Sequence, residues 1–142
     1  MMFVRCLPAL VLIGATTASA APTMCQLSFD NGTTLDLPLA KTEAEQIQGL
    51  AGRHDPGPGI LFLWRLPSVR FVWMKNTAFP LEAAWFGVDG IVQSVQALVP
   101  GTTTKHSSLR PALGIIEVPH GELARRGIKR GSAIITSTCF NL

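Results

Sequence analysis

The chain has 142 residues, 47% of them hydrophobic, and a formal net charge of +3. That supplies apolar material for one folded core and too little charge for an electrostatic nucleic-acid binder. The one dense basic stretch, Arg125, Arg126, Lys129 and Arg130, comes with no nucleic-acid motif and reads as a solvated helix end.

The first element is a targeting signal. Arg5 supplies a positive n-region, Leu7 to Ala15 a short apolar h-region, and Ala18-Ser19-Ala20 a small-residue cleavage site. Residues 1–20 are therefore expected to be a cleaved signal peptide and residues 21–142 a single, mostly β domain in the periplasm or outside the cell. The apolar run falls short of the ~18–20 residues that a spanning helix needs, and Pro8 interrupts it, so no membrane span is expected after cleavage. Cys6 leaves with the signal. The remaining pair, Cys25 and Cys139, is expected to form a disulfide between the two ends of the domain. Closing so long a loop contributes about 4–5 kcal/mol in the chain-entropy model.

Met24 to Phe29 and Thr33 to Leu39 are β-prone runs around Asp30-Asn31-Gly32, a hairpin signal. Thr42 and Glu45 form a capping box for a helix predicted over 42–51, with Gly52 just past its end. Residues 54–59, His-Asp-Pro-Gly-Pro-Gly, exclude regular structure. Ile60 to Trp64 and Val69 to Met74 are apolar on both faces and read as buried strands. Leu81 to Val88 and Ile91 to Leu98 flank Asp89-Gly90, read as a two-residue turn of type I′. A polar loop over 99–111, a strand over 112–118, one or two helical turns over 120–126 and a last strand over 132–138 complete the chain. The fold class is all-β, a mostly antiparallel sandwich or barrel with one or two short helices.

The sequence also resembles a known family. Gln48-Gly49-Leu50-Ala51-Gly52-Arg53 and Gly57-Pro58-Gly59-Ile60-Leu61-Phe62 resemble the opening of the domain-of-unknown-function 192 family. The strongest match is Phe71-Val72-Trp73-Met74-Lys75-Asn76-Thr77-Ala78-Phe79-Pro80-Leu81-Glu82. Ile116-Glu117-Val118-Pro119-His120-Gly121 and Gly127-Ile128-Lys129-Arg130-Gly131 continue it in order. The resemblance implies a compact, mostly β domain, often exported, with no agreed activity.

The residues themselves suggest a site. With Asp89-Gly90 as the turn, Glu82 faces Ala97, Ala84 faces Val95, Phe86 faces Gln93 and Val88 faces Ile91. Alternation then puts Glu82 at the end of a core-facing row, and a carboxylate there needs a partner. Lys75 and Arg53 are the natural candidates. Glu117 is a second acid inside an apolar strand. A polar cluster of Arg53, Lys75, Asn76, Glu82 and Glu117 is therefore expected, either as internal bracing or as a ligand site. Trp64, Trp73 and Trp85 suggest a sugar-stacking surface or core packing, and Trp85, opposite in phase to Glu82, is the expected exposed platform.

His54, His106 and His120 lack metal-ligand spacing, Ser107 and Ser108 beside His106 form no triad, and residues 52–59 form no phosphate loop, so no metal or cofactor is expected. The leading functional expectation is a non-enzymatic binding module for a small polar molecule, a glycan or an envelope protein. The alternatives are a hydrolase or lyase with Glu82 and Glu117 as acid and base beside Lys75 and Arg53, and a purely structural protein.

Overall fold

The computed structural model describes residues 20–142. The expected signal peptide lies outside these residues, apart from Ala20 at its end. Nine strands and two short helices follow: β1 Met24–Phe29, β2 Thr34–Ala40, α1 Glu43–Gln48, β3 Ile60–Ser68, β4 Phe71–Val72, β5 Leu81–Phe86, β6 Val92–Leu98, β7 His106–Ser107, β8 Ala112–Pro119, α2 Glu122–Arg125 and β9 Ile134–Ser137. Seven strands form one curled sheet in the order β6-β5-β8-β3-β2-β1-β9, and β4 pairs with β7 in a small separate ribbon. The outer strands approach at one end. Ile91 bridges Ala133, and the Val92 and Ile134 N–H groups donate to the Ser132 and Gly90 carbonyls. The result is a β half-barrel, as the sequence predicts.

All pairs in the sheet are antiparallel except β2 with β3, where Leu39 lies beside Leu61 and Ala40 beside Phe62. Parallel neighbours need a crossover connection, and here it carries α1. The capping box forms as expected, with Thr42 Oγ1 accepting from Glu45 N–H and the Glu45 carboxylate accepting from Thr42 N–H. The helix stops at Gln48 rather than 51, because Gly49 turns left-handed at φ 48° and packs under the Phe62 ring. The Gln46 side-chain amide then fixes the helix in place: its Nε2 donates to Leu63 O at 2.9 Å, pinning α1 across β3.

β5, most of β8 and residues 60–63 of β3 are buried on both faces. Inside the half-barrel, Leu27, Phe29, Leu37, Leu61, Ala84, Phe86, Ile116 and Val118 form one core. On the outer face, Leu50, Ile60, Phe62, Met74, Leu81, Ala83, Trp85 and Ile115 form a second, covered by α1 and the long loops. This corrects one expectation: Trp85 is 0% exposed, an outer-core residue and not a surface platform. Glu82 faces Ala97 and Ala84 faces Val95 as predicted, but a bulge after Trp85 sets Phe86 against Val92. Only Gly90 of the Asp89-Gly90 pair has positive φ (72°), which excludes the type I′ turn that needs two such residues. The run Val69 to Met74 is likewise no buried strand. Only Phe71 and Val72 pair, with Ser107 and His106, and Phe71 is 60% exposed.

A disulfide joins Cys25 in β1 to Cys139 beyond β9, with Cα atoms 5.6 Å apart at a sequence separation of 114. Beside it, Phe140 stacks on Phe86 with ring centroids 5.7 Å apart, bringing the C-terminal tail onto the inner core.

Gly59 shows how tightly the crossover returns to the sheet. At φ +105° its backbone passes so close to β8 that an added Cβ would lie 2.2 Å from the Glu117 carbonyl oxygen. Gly59→Ala is expected to cost about 3 kcal/mol through backbone strain and overlap, read as a lower midpoint in urea unfolding.

Candidate functional site

Alternation along β5 and β8 decides where the two buried acids point. Glu82 pairs across with Val118 and shares its face with Ala84 and Phe86, toward the inner core. Glu117 pairs with Ala83 and with Ile60, and shares their face toward the outer core. The two carboxyls are thus on opposite faces of one sheet.

Glu82 is engaged through one of its oxygens. The N-cap of α2 is Gly121, which has no side chain to satisfy the first N–H groups of the helix. Glu82 supplies the missing acceptor from β5: its Oε1 accepts from the buried Leu123 N–H at 2.6 Å. His120 Nδ1 stands 3.9 Å from its other oxygen. The expected partners Lys75 and Arg53 play no part. The carboxyl points into the half-barrel, whereas Lys75 lies on the outer side.

Glu117 is the opposite case. It is 6% exposed, and among the described residues its carboxyl has no ion-pair or hydrogen-bond partner. Burial alone pushes its pKa up to about 7. It lies at the base of a groove of about 490 Å³ on the outer face. One wall is α1 and the turn after it, with Ile47, Gln48 and Leu50; the other is the 69–75 segment; Phe62 and Trp64 of β3 lie between. Thr77, also buried, lines the same groove, and its hydroxyl makes no hydrogen bond among the described residues.

The rim is aromatic and basic. Phe71 and Trp73 are 60% and 49% exposed. Arg70 packs its guanidinium over Trp64, 4.6 Å from the ring centroid, and the Lys75 ammonium lies 5.4 Å from that of Trp73. The rim is held by backbone bonds. Buried Ser108 accepts from Arg70 N–H at 3.0 Å and donates from its own N–H to Arg70 O at 2.9 Å, and Met74 N–H donates to Thr102 O. Asn76 turns left-handed at φ 58°, and its carbonyl accepts from Gly52 N–H at 2.8 Å. Asn76 therefore shapes the turn through its backbone.

The expected five-residue cluster is not assembled as one unit. Lys75 and Glu117 line the main groove, and Lys75 and Asn76 border a shallower depression beside it. Arg53 lies exposed outside both, and Glu82 faces the other way. Residues absent from the expected cluster, namely Arg70, Phe71, Trp73 and Thr77, make up much of the groove. The sequence signal for the rim is the alternation in Phe71-Val72-Trp73-Met74, where Phe71 and Trp73 face out and Met74 is buried. Among the described residues no cluster of three His, Cys, Asp or Glu side chains could hold a metal ion.

A family model described as "Uncharacterized ACR", DUF192, matches residues 26–136. The chain belongs to the DUF192 family. No functionally curated protein matches it in sequence. Among solved structures, this DUF192 chain is similar to a protein of Sinorhizobium meliloti 1021 that has been proposed to be a transcription regulator. The TM-score is 0.71 at 28% identity, covering 83% of this chain and 95% of that one. It is also similar to a Novosphingobium aromaticivorans DSM 12444 protein of unknown function, with a TM-score of 0.66 at 29% identity over 84% and 98% of the two chains. The groove residues Ile47 to Thr77 and Glu117 all lie within the DUF192 match.

The two acids give two expected outcomes. Removing the acceptor at α2 in Glu82→Ala should lower stability by about 2–3 kcal/mol, and Glu82→Gln by less, because an amide oxygen still accepts from Leu123. Glu117 contributes with the opposite sign. Its folded pKa of about 7 stands above the unperturbed 4.5, so the folded state binds more protons across that window. Stability should therefore fall by about 3 kcal/mol as pH rises from 4.5 to 7, and Glu117→Gln should abolish that slope in urea titrations run at each pH.

Proposed function

We propose that this DUF192 protein is a non-enzymatic binding module, working outside the cytoplasm, whose ligand occupies the groove between α1 and the 69–75 segment. The observation that carries this reading is the Glu117 carboxyl, buried at the groove base without a partner. A buried carboxyl that only braces a fold finds a hydrogen-bond donor, as Glu82 does in Leu123. A carboxyl left unpaired under exposed aromatic side chains is organised for a group that the chain itself does not supply. The groove volume of about 490 Å³ falls within the ~300–1,000 Å³ range of small-molecule pockets, which favours a small ligand over an envelope protein.

Two other readings have less support. Acid–base chemistry by Glu82 and Glu117 requires both carboxyls at one substrate, and they point to opposite faces of the sheet. Internal bracing accounts for Glu82 and leaves Glu117 unexplained. Work outside the cytoplasm is supported by the signal pattern of residues 5–20 and by a disulfide of the kind that persists in oxidising compartments.

The test is a thermal-shift screen of the oxidised protein against a broad panel of small metabolites and sugars. At least one compound should raise the melting temperature in a dose-dependent way, and the rise should vanish in Glu117→Met. No shift across the panel would defeat the reading. So would a shift that Glu117→Met leaves intact.

A further inference from the structure

Deepening that reading and resting on it, we infer that the groove takes a neutral, polyhydroxylated ring, a saccharide unit, with one C–H face on Trp73 and Phe71 and its hydroxyls on Glu117 and Thr77.

The charge arrangement narrows the ligand class. A cationic ligand would ordinarily be drawn to a cluster of aromatic rings above a carboxyl. Here the rings already carry cations of the chain itself, Arg70 on Trp64 and Lys75 beside Trp73. A ligand cation would have to displace them or sit between two like charges. An anionic ligand meets Arg70 and Lys75 favourably at the rim, but going deeper brings its charge onto the floor beside Glu117, with Glu43 on the α1 wall as a second acid. A wholly apolar ligand would strip water from Glu117 and Thr77 and offer neither a hydrogen bond.

What remains is a ligand with an apolar face and a polar edge. Pyranose rings have this shape: axial C–H groups make one flat apolar side, and hydroxyls ring the edge. The polar demand of the floor suits hydroxyl groups. A carboxylate accepts from two of them, and near its raised pKa of about 7 the same carboxyl also exists in a form that donates. The Thr77 hydroxyl donates or accepts. At the rim, Trp73 and Phe71 are held at fixed positions by the Met74–Thr102 backbone bond and the β4–β7 pairing, so their faces are pre-organised for stacking.

Tryptophan fluorescence of the oxidised protein offers the test, since Trp73 is half exposed at the rim. The probes are methyl glucoside, methyl N-acetylglucosaminide, cellotriose and N-acetylchitotriose, with choline as the cationic control and decanoate as the anionic, apolar one. Expected is a saturable spectral change with at least one saccharide and none with choline or decanoate. Trp73→Ala, followed by calorimetry because it removes the reporter, should weaken binding about tenfold or more. Glu117→Met should abolish binding while raising the melting temperature, a combination that a merely structural carboxyl would not give. Phe71→Ala, at an exposed position, provides a second stacking variant.

If choline or decanoate saturates and the saccharides are silent, the saccharide inference is overturned and the binding-groove reading stands. If saccharides bind equally well to Trp73→Ala, Phe71→Ala and Glu117→Met, the site lies elsewhere and the inference fails. If every probe is silent, the inference fails, and the broader thermal-shift panel decides the reading beneath it.

Discussion

Burial of both faces of β5, most of β8 and residues 60–63 of β3 governs the rest of the structure. In a sheet covered on one side, alternation sorts residues into a dry face and a wet one. Here it sorts them into two dry cores, with Leu61, Phe86 and Ile116 in one and Phe62, Trp85 and Ile115 in the other. A polar residue on these strands then has no solvent face to turn to. Neighbours in sequence or across the ladder face different problems on different sides. Glu82 meets its demand from α2 inside the half-barrel; Glu117, on the other face, meets none.

The cover over the outer core differs in kind from the sheet beneath it. It is built from a helix of less than two turns, a glycine-rich turn, the 69–80 segment and the loop over 99–111. Such a cover cannot close everywhere. The parallel pairing of β2 and β3 obliges the chain to cross the sheet, and Gln46 fixes where the crossing helix rests. The β4–β7 ribbon and the Ser108 clamp fix the opposite bank. The groove is the gap between these two separately anchored pieces, and the two tryptophans Trp64 and Trp73 line that gap.

Much of the fold is legible in the sequence because its signals are local. The Asn31-Gly32 hairpin, the Thr42–Glu45 capping box, the pairing of Glu82 with Ala97 and the Cys25–Cys139 bond all follow from short-range chemistry or simple counting. The site was less legible because it depends on which face is covered. Leu81 to Phe86 is apolar at nearly every position, so periodicity could not reveal a second core over Trp85. Nor could it tell that Phe71 and Trp73, as apolar as any core residue, sit on a two-residue ribbon at the surface. Glu117 was identifiable as an acid in an apolar strand. Its separation from Glu82 was open to inference only with the β5–β8 register in hand, since a shift of one residue reverses the face.

The bond between Cys25 and Cys139 has one more consequence. It links the first strand to the segment beyond the last, so nearly all of the described chain forms a covalent ring with two short tails. Cutting a ring once opens it without dividing it. A peptidase that nicks an exposed turn, such as the one at Gly101, leaves a single molecule whose β ladders and cores still hold the cut ends in register. Such topology turns a severing cut into a survivable one.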